Sequence, residues 1–135
     1  MTESILQLLE QSRRREKEQT LFYRALAALA EAQEESEAAE RLNALLADEQ
    51  HHLARLSARI LELGGSPAEL SLANPALPEL EAWEGRAGER EAEEVGWYQG
   101  VLSEELDSTT RELFSDILVS EEHHARELGG KWMSA

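Results

Sequence analysis

The sequence predicts an all-α domain, a four-helix bundle in which two antiparallel helix hairpins are joined by a long crossover. Ala, Leu, Glu and Arg dominate the composition and favour helix, whereas Val, Ile, Thr and aromatic residues are scarce. Apolar residues recur at three- and four-residue steps, and all three prolines lie in one segment near the middle of the chain. The 135 residues have the size of one domain, so we expect a single domain over residues 1–135.

The first hairpin is predicted from two long apolar repeats. The first helix covers about residues 4–34, where no Gly or Pro interrupts the pattern. Ser36 can cap a second helix over about 37–63, which ends at Gly64-Gly65, a common helix stop. Because almost nothing separates the two helices, they should run antiparallel.

The crossover is predicted over residues 64–79, which hold all three prolines and two of the eight glycines. These 16 residues, at roughly 3.3 Å each, could extend about 50 Å, the length of a bundle. A connection of that length lets the second and third helices run in the same direction, unlike a simple up-and-down bundle.

The second hairpin is predicted with less regular helices. The third helix covers about residues 80–106, although four glycines weaken it. Asp107-Ser108 can cap a fourth helix over about 108–129, which should stop at Gly129-Gly130. The order of elements is therefore hairpin, crossover, hairpin.

Charge and the lack of cysteine restrict the partners. A formal net charge of −15 repels phosphate backbones and anionic membranes but attracts cations, so we expect no nucleic-acid or membrane partner. With no cysteine there is no thiolate ligand, and any metal must be held by oxygen and imidazole nitrogen. No stretch approaches about 18 apolar residues and no basic start precedes an apolar run, which predicts a cytoplasmic protein.

An internal repeat relates the two hairpins. In the first helix of each, Glu16 and Tyr23 match Glu91 and Tyr98 at an offset of 75. In the second helix of each, the stretch DEQHH matches SEEHH at an offset of 72, and these two stretches contain all four histidines. The two hairpins therefore carry corresponding sets of polar residues.

The repeat selects one acid–histidine pair in each stretch. DEQHH contains two such pairs at the i, i+3 spacing that places both side chains on one helix face. SEEHH has serine in place of the first acid, so only the second pair is shared. The shared Glu-x-x-His motif continues the apolar stripe of its helix and should point into the bundle. Its residues are Glu49, His52, Glu121 and His124.

Inward-facing carboxylates indicate a metal site. An unpaired buried carboxylate costs several kcal/mol, so something must compensate its charge. Two divalent cations would neutralise the four carboxylates Glu16, Glu49, Glu91 and Glu121. Oxygen and nitrogen ligands without sulfur suit iron or manganese; zinc also fits on affinity grounds, and imidazole disfavours calcium. Di-iron and di-manganese bundles use the same ligand set: one Glu from each of two helices, and Glu-x-x-His from each of the other two.

With these motifs the sequence resembles the ferritin-like superfamily, and most closely its rubrerythrin-type branch. There a Glu seven residues before a Tyr in helices 1 and 3 is paired with Glu-x-x-His in helices 2 and 4, and the resemblance covers nearly the whole chain. It implies a ferritin-like bundle holding two iron ions, bridged by Glu49 and Glu121. The remaining ligands it implies are Glu16 and Glu91 at the ends, with His52 on one ion and His124 on the other.

Some acidic positions stay open at this stage. Glu18, Glu93 and Glu94 lie close to Glu16 and Glu91 in sequence and are alternatives to them. Rubrerythrins tend to carry an extra carboxylate in helix 3, and the resemblance makes Glu94 the candidate for it.

The aromatic residues and the outer histidines also leave alternatives. Tyr23 and Tyr98 either hydrogen-bond a metal-binding Glu or pack in the core. His51 and His123 are expected to lie behind the ligands or on the surface rather than to bind the metal.

The resemblance implies a rubrerythrin-like oxidoreductase that oxidises Fe(II) or reduces peroxide or O₂. No Cys-x-x-Cys module of the rubredoxin type is present, so turnover would need an external electron donor. One alternative is a ferritin-type ferroxidase that handles or stores iron, and another is a non-catalytic, metal-stabilised helical bundle. In each case we expect a homodimer or a higher homo-oligomer.

Overall fold

The computed structural model describes residues 2–133, with side chains as far as Leu128. These residues form four α-helices and no strand, so the all-α prediction is confirmed. The chain divides into two compact units, Met1–Leu80 and Glu81–Ala135, each with one hairpin, and the single-domain expectation stays a prediction. The helices are α1 (Thr2–Ala32), α2 (Ser36–Glu62), α3 (Trp83–Val101) and α4 (Ser108–Met133), and one 3₁₀ turn (Leu80–Ala82) precedes α3.

In the first unit, α1 and α2 pack along one another in opposite directions. The order of contacts shows this, because Glu31 near the end of α1 meets Asn43 early in α2, whereas Arg13 meets Ser57. Several apolar side chains of α1 and α2 have almost no exposure and belong to the core. They include Leu9, Phe22, Leu26, Leu42, Leu56 and Ile60.

The turn between α1 and α2 is closed by backbone hydrogen bonds. The N–H of Glu35 donates to the carbonyl of Ala30 (2.9 Å), and the N–H of Glu34 donates to Glu31 (3.1 Å). This pattern requires a left-handed residue, and Glu34 occupies that position with φ +59°. α2 then begins at Ser36 itself, so the prediction of Ser36 as the cap was wrong by one position. The backbone bonds of the turn set this boundary.

Replacing Glu34 by glycine is expected to stabilise the protein by about 1 kcal/mol. A non-glycine residue in the left-handed region costs roughly 1–2 kcal/mol, and the greater freedom of glycine in the unfolded chain offsets part of the gain. Urea unfolding should show a higher midpoint with an unchanged slope. Glu40→Gly is the matched control: it lies at an exposed position inside α2 and should lower the midpoint. A midpoint for Glu34→Gly at or below that of the wild type would contradict the prediction.

α2 ends at the predicted pair of glycines. Gly64 has φ +86°, and its N–H donates to the carbonyl of Leu61 (3.0 Å), while the N–H of Gly65 donates to Ile60 (2.9 Å). A side chain at Gly65 would meet Leu6 at 3.0 Å and Ile60 at 3.1 Å, which is too close without movement of the neighbours. The backbone conformation therefore favours glycine at position 64, and the close neighbours favour it at position 65.

The crossover is fastened to the first hairpin by a group that we term the crossover clasp: Glu10, Arg13, Ser57 and Ala68. Arg13 donates to the carbonyl of Ala68 (2.7 Å) and to Ser57 Oγ (3.0 Å). The N–H of Ala68 donates to Glu10 Oε1 (2.9 Å), and Glu10 also pairs with Arg13 (3.2 Å). These bonds satisfy backbone groups of a segment that has no helix of its own.

In the second unit, α3 and α4 also run antiparallel, since Gly88 approaches Leu128 while Tyr98 approaches Phe114. α3 is shorter than the predicted span of 80–106, because its first residues form the 3₁₀ turn and its end lies at Val101. α4 continues through the two glycines that were expected to end it, since glycine weakens a helix without forbidding it. No helix among the described residues has an apolar stretch long enough to cross a membrane.

Hydrogen bonds hold the connection between α3 and α4 in place. Arg111 donates to the carbonyls of Leu102 (2.8 Å) and Glu104 (2.9 Å), which holds the chain in an irregular path after α3. The N–H of Thr110 donates to the carboxylate of Asp107 (3.0 Å), so Asp107 caps α4 as predicted.

Candidate metal centre

The first half-site consists of Glu16 on α1 with Glu49 and His52 on α2. All three side chains are buried, and the two carboxylates are completely so. His52 Nδ1 lies 3.2 Å from Glu16 Oε1 and 3.0 Å from Glu49 Oε1. Each residue offers one ligand atom within 4.8 Å of the others, close enough for one metal ion to be bound by all three.

The second half-site consists of Glu91 on α3 with Glu121 and His124 on α4. His124 Nδ1 lies 2.7 Å from Glu91 Oε1 and 3.2 Å from Glu121 Oε1. The three side chains are as buried as those of the first half-site, and their ligand atoms also lie within 4.8 Å of one another. The internal repeat of the sequence thus produces the same local geometry twice.

Helical periodicity explains why these acids, and not their neighbours, are buried. Glu49 and His52 continue the stripe of Leu42, Leu45 and Leu56, all of them buried. The competing pair in DEQHH, Asp48 and His51, is exposed on α2. Two of the alternative acids, Glu18 on α1 and Glu93 on α3, are exposed as well.

In the first half-site, the imidazole of His52 binds its proton more tightly than a free histidine does. Burial alone would lower the pKa of His52, but the adjacent carboxylates of Glu16 and Glu49 more than reverse this and raise the pKa from 6.5 to about 9. Without a metal, an imidazolium proton therefore supplies the positive charge that the two carboxylates need. A metal ion that binds these residues has to displace this proton, because only the neutral imidazole is a ligand.

His51 and His123 lie away from the buried ligands. Both are exposed, and His123 pairs with Glu127 at 2.8 Å, one turn further along α4. Neither is grouped with the ligands of its half-site, although each adjoins a buried histidine in sequence.

Tyr23 and Tyr98 are completely buried and contact phenylalanine rings, which fits the packing alternative. Tyr23 meets Phe22 edge-on at 5.5 Å between ring centroids, and Tyr98 meets Phe114 at 6.0 Å. Each tyrosine lies seven residues after the Glu of its half-site, so each occupies the same helix face two turns away.

Gln19 is a site residue that the motifs did not reveal. It is 1% exposed, and its side-chain amide donates a long hydrogen bond (3.5 Å) to Glu49 Oε2. The only sequence signal for it is the repeat, because position 19 corresponds at an offset of 75 to Glu94. Glu94 is buried as well, at 6% exposure.

The donor set suits a divalent transition metal. Two carboxylates and one imidazole in each half-site are hard or borderline ligands, which fit Fe(II), Mn(II) and Zn(II), whereas imidazole argues against calcium. Complete burial makes two adjacent carboxylates costly unless a cation neutralises them. The residues present therefore fit a metal ion.

Comparisons with known proteins bear on the fold. No family model matches the sequence, and no curated protein matches it. Among solved structures, a bacterioferritin of Desulfovibrio desulfuricans, described with its diiron site in different catalytic states, matches with a TM-score of 0.88 at 20% identity. The match covers 96% of this chain and 78% of that one.

Two further structures give the same result. The bacterioferritin BfrA of Mycobacterium tuberculosis matches with a TM-score of 0.87 at 21% identity, over 96% of this chain and 84% of that one. A bacterioferritin-related protein of Bacteroides fragilis, described as a dodecameric thioferritin, matches with a TM-score of 0.84 at 18% identity, over 99% of this chain and 87% of that one. At these identities the likeness shows the fold and carries no residue roles.

Proposed function

We propose that this chain, which has the ferritin-like four-helix bundle fold, binds two iron ions and oxidises Fe(II) with O₂ as a ferroxidase. The observation that carries the proposal is the pair of buried half-sites, each with two carboxylates and one imidazole. In the proposed centre Glu16, Glu49 and His52 would hold one ion, and Glu91, Glu121 and His124 would hold the other.

Charge balance supports two ions rather than one. Four carboxylates neutralise two divalent ions, whereas a single ion would leave two negative charges buried. In the reaction, two Fe(II) substrate ions lose one electron each, and O₂ takes up both electrons with two protons and leaves as hydrogen peroxide. The carboxylates stabilise the increased charge of Fe(III), and the burial of all six ligands excludes bulk water.

Ferroxidase chemistry is favoured over rubrerythrin-like peroxide reduction because the matching structures are bacterioferritins, one of them described by its diiron site. Peroxide reduction remains the second candidate. The buried carboxylate of Glu94 favours it, since it lies where the resemblance to rubrerythrins expects an extra acid. Iron storage would require, in addition, an enclosed assembly of many copies.

Oxidation of Fe(II) by two oxidants tests the proposal. Metal-free protein is mixed anaerobically with two Fe(II) per chain, and either O₂ or hydrogen peroxide is then added. We expect O₂ to oxidise both ions well above the rate of free Fe(II) in the same buffer. A rate equal to that of free Fe(II) would refute the ferroxidase, and a rate at least about tenfold higher with peroxide than with O₂ would favour the rubrerythrin-like alternative.

Light scattering on the same protein separates iron handling from storage. We expect a homodimer or a larger homo-oligomer, by analogy with the dodecamer described for the Bacteroides fragilis protein. A monomer or dimer that stops oxidising after two Fe(II) per chain would exclude storage.

A further inference from the structure

Two buried polar contacts, one helical turn apart, join α1 to α2 at the first half-site. Glu16 Oε1 on α1 lies 3.2 Å from His52 Nδ1 on α2. One turn further along α1, Gln19 Nε2 lies 3.5 Å from Glu49 Oε2. Residues three apart share a helix face and the two helices run antiparallel, so both contacts join the same two faces. Gln19 therefore lies among the proposed ligands, although it has neither a carboxylate nor an imidazole.

The two oxygens of Glu49 face different partners. Oε1 lies 3.0 Å from Nδ1 of His52, the same nitrogen that lies near Glu16, so Oε1 faces the other two residues of the half-site. Oε2 accepts a hydrogen bond from the Gln19 amide. Rotation of the carboxylate about its terminal bond would exchange these two oxygens or turn both away. A donor that holds one of them sets the orientation of the other.

An amide is suited to this contact because it donates a hydrogen bond without adding a charge. Gln19 is 1% exposed and Glu49 is completely buried, so both partners are shielded from bulk water. A buried carboxylate needs a hydrogen-bond donor, and a neutral donor leaves the charge balance of the half-site unchanged. The bond is long for an amide and a carboxylate, so we expect an effect at the lower end of the range for outer partners of metal ligands.

We propose that Gln19 is a positioning residue for Glu49. By holding Oε2, its amide keeps Oε1 turned toward His52 and Glu16, in the orientation that binds a metal ion. The inference rests on the proposed two-ion centre and adds to it a residue outside the six ligands.

Mn(II) titration of Gln19→Met tests this role without any oxidation. Methionine is as long as glutamine and has no N–H, so the variant removes the donor and keeps a side chain of similar length. Calorimetry on the metal-free protein should show at least one binding step weakened about 10-fold. Gln11→Met is the matched control, because Gln11 is an exposed glutamine on the same helix and its replacement should leave Mn(II) binding unchanged. Unchanged Mn(II) affinity of folded Gln19→Met would overturn the inference.

The visible absorption of bound Co(II) separates positioning from packing. This absorption depends on the number and arrangement of the atoms that bind the ion, so it changes when Glu49 turns. Co(II)-loaded Gln19→Met should absorb at different wavelengths or with different intensity from the wild type, whereas Gln11→Met should match the wild type. A role of Gln19 in packing alone would change the melting temperature and leave the spectrum as it is, which would contradict the inference.

Crystals of the wild type grown with Mn(II) show the orientation of Glu49 directly and need no variant. One Glu49 oxygen should accept a hydrogen bond from Gln19 Nε2, at about 3.2 Å or less, while the other faces the ion. A Glu49 carboxylate that has no contact with Gln19 in these crystals would overturn the inference even if Gln19→Met does not fold. Absence of any Mn(II) binding would instead refute the two-ion centre itself.

Discussion

Replacing Glu121 by glutamine is expected to lower the rate of Fe(II) oxidation by at least about 100-fold. Glu121 is completely buried, and its carboxylate lies 3.2 Å from His124. The amide has the same shape but no charge, so it would remove a ligand oxygen of the proposed centre and one of the four charges that would balance two divalent ions. Oxygen consumption by protein loaded anaerobically with two Fe(II) per chain measures the loss.

Two controls make this result specific. Glu112→Gln lies on the same helix at an exposed position and should oxidise Fe(II) at the wild-type rate. Melting curves of metal-free Glu121→Gln and metal-free wild type show whether the variant still folds, so that a lost rate is not mistaken for lost structure. If Glu121→Gln keeps more than half of the wild-type rate, Glu121 is not a ligand.

Metal binding is expected to raise the melting temperature by roughly 15 °C. A ligand at a free concentration 100 times its Kd stabilises the folded state by about 2.7 kcal/mol per site, so two sites give about 5 kcal/mol. For a domain of this size each kcal/mol shifts the melting temperature by a few degrees. Calorimetric scans with and without excess Mn(II) measure the shift.

The paired histidines of α4 provide the control for this shift. His124→Ala removes the imidazole proposed for one of the two ions and should abolish about half of the shift, whereas His123→Ala changes an exposed neighbour and should leave it intact. Equal melting temperatures of the wild type with and without Mn(II) would contradict both the two-ion centre and the metal-stabilised bundle.

The fold was predictable because helix signals agree along most of the chain. The ferritin-like bundle of two hairpins and a crossover is confirmed, and the glycines at 64 and 65 end α2 as their backbone freedom suggests. The end of α3 was not predictable, since it depends on Arg111, which reaches back from the next helix to the carbonyls after α3. Such a contact depends on the path of the folded chain, and no local sequence pattern predicts it.

Which acids are buried could not be predicted from residue type. The repeat matches Glu16 to Glu91 and Glu18 to Glu93 alike, and only the position seven residues before Tyr23, which the resemblance marks, singled out Glu16; the structure buries Glu16 and exposes Glu18. Gln19 escaped notice because an uncharged polar residue on a helix has no preferred side. Its contact with Glu49 depends on the packing of α1 against α2.

The internal repeat has a consequence for how the two hairpins can differ. If two separate, identical copies of one hairpin formed the protein, every substitution would appear in both copies. The crossover joins the hairpins into one chain, so position 19 can be Gln while position 94 is Glu. A covalent connection of some sixteen residues thus lets each hairpin change on its own, at the cost of one loop closure.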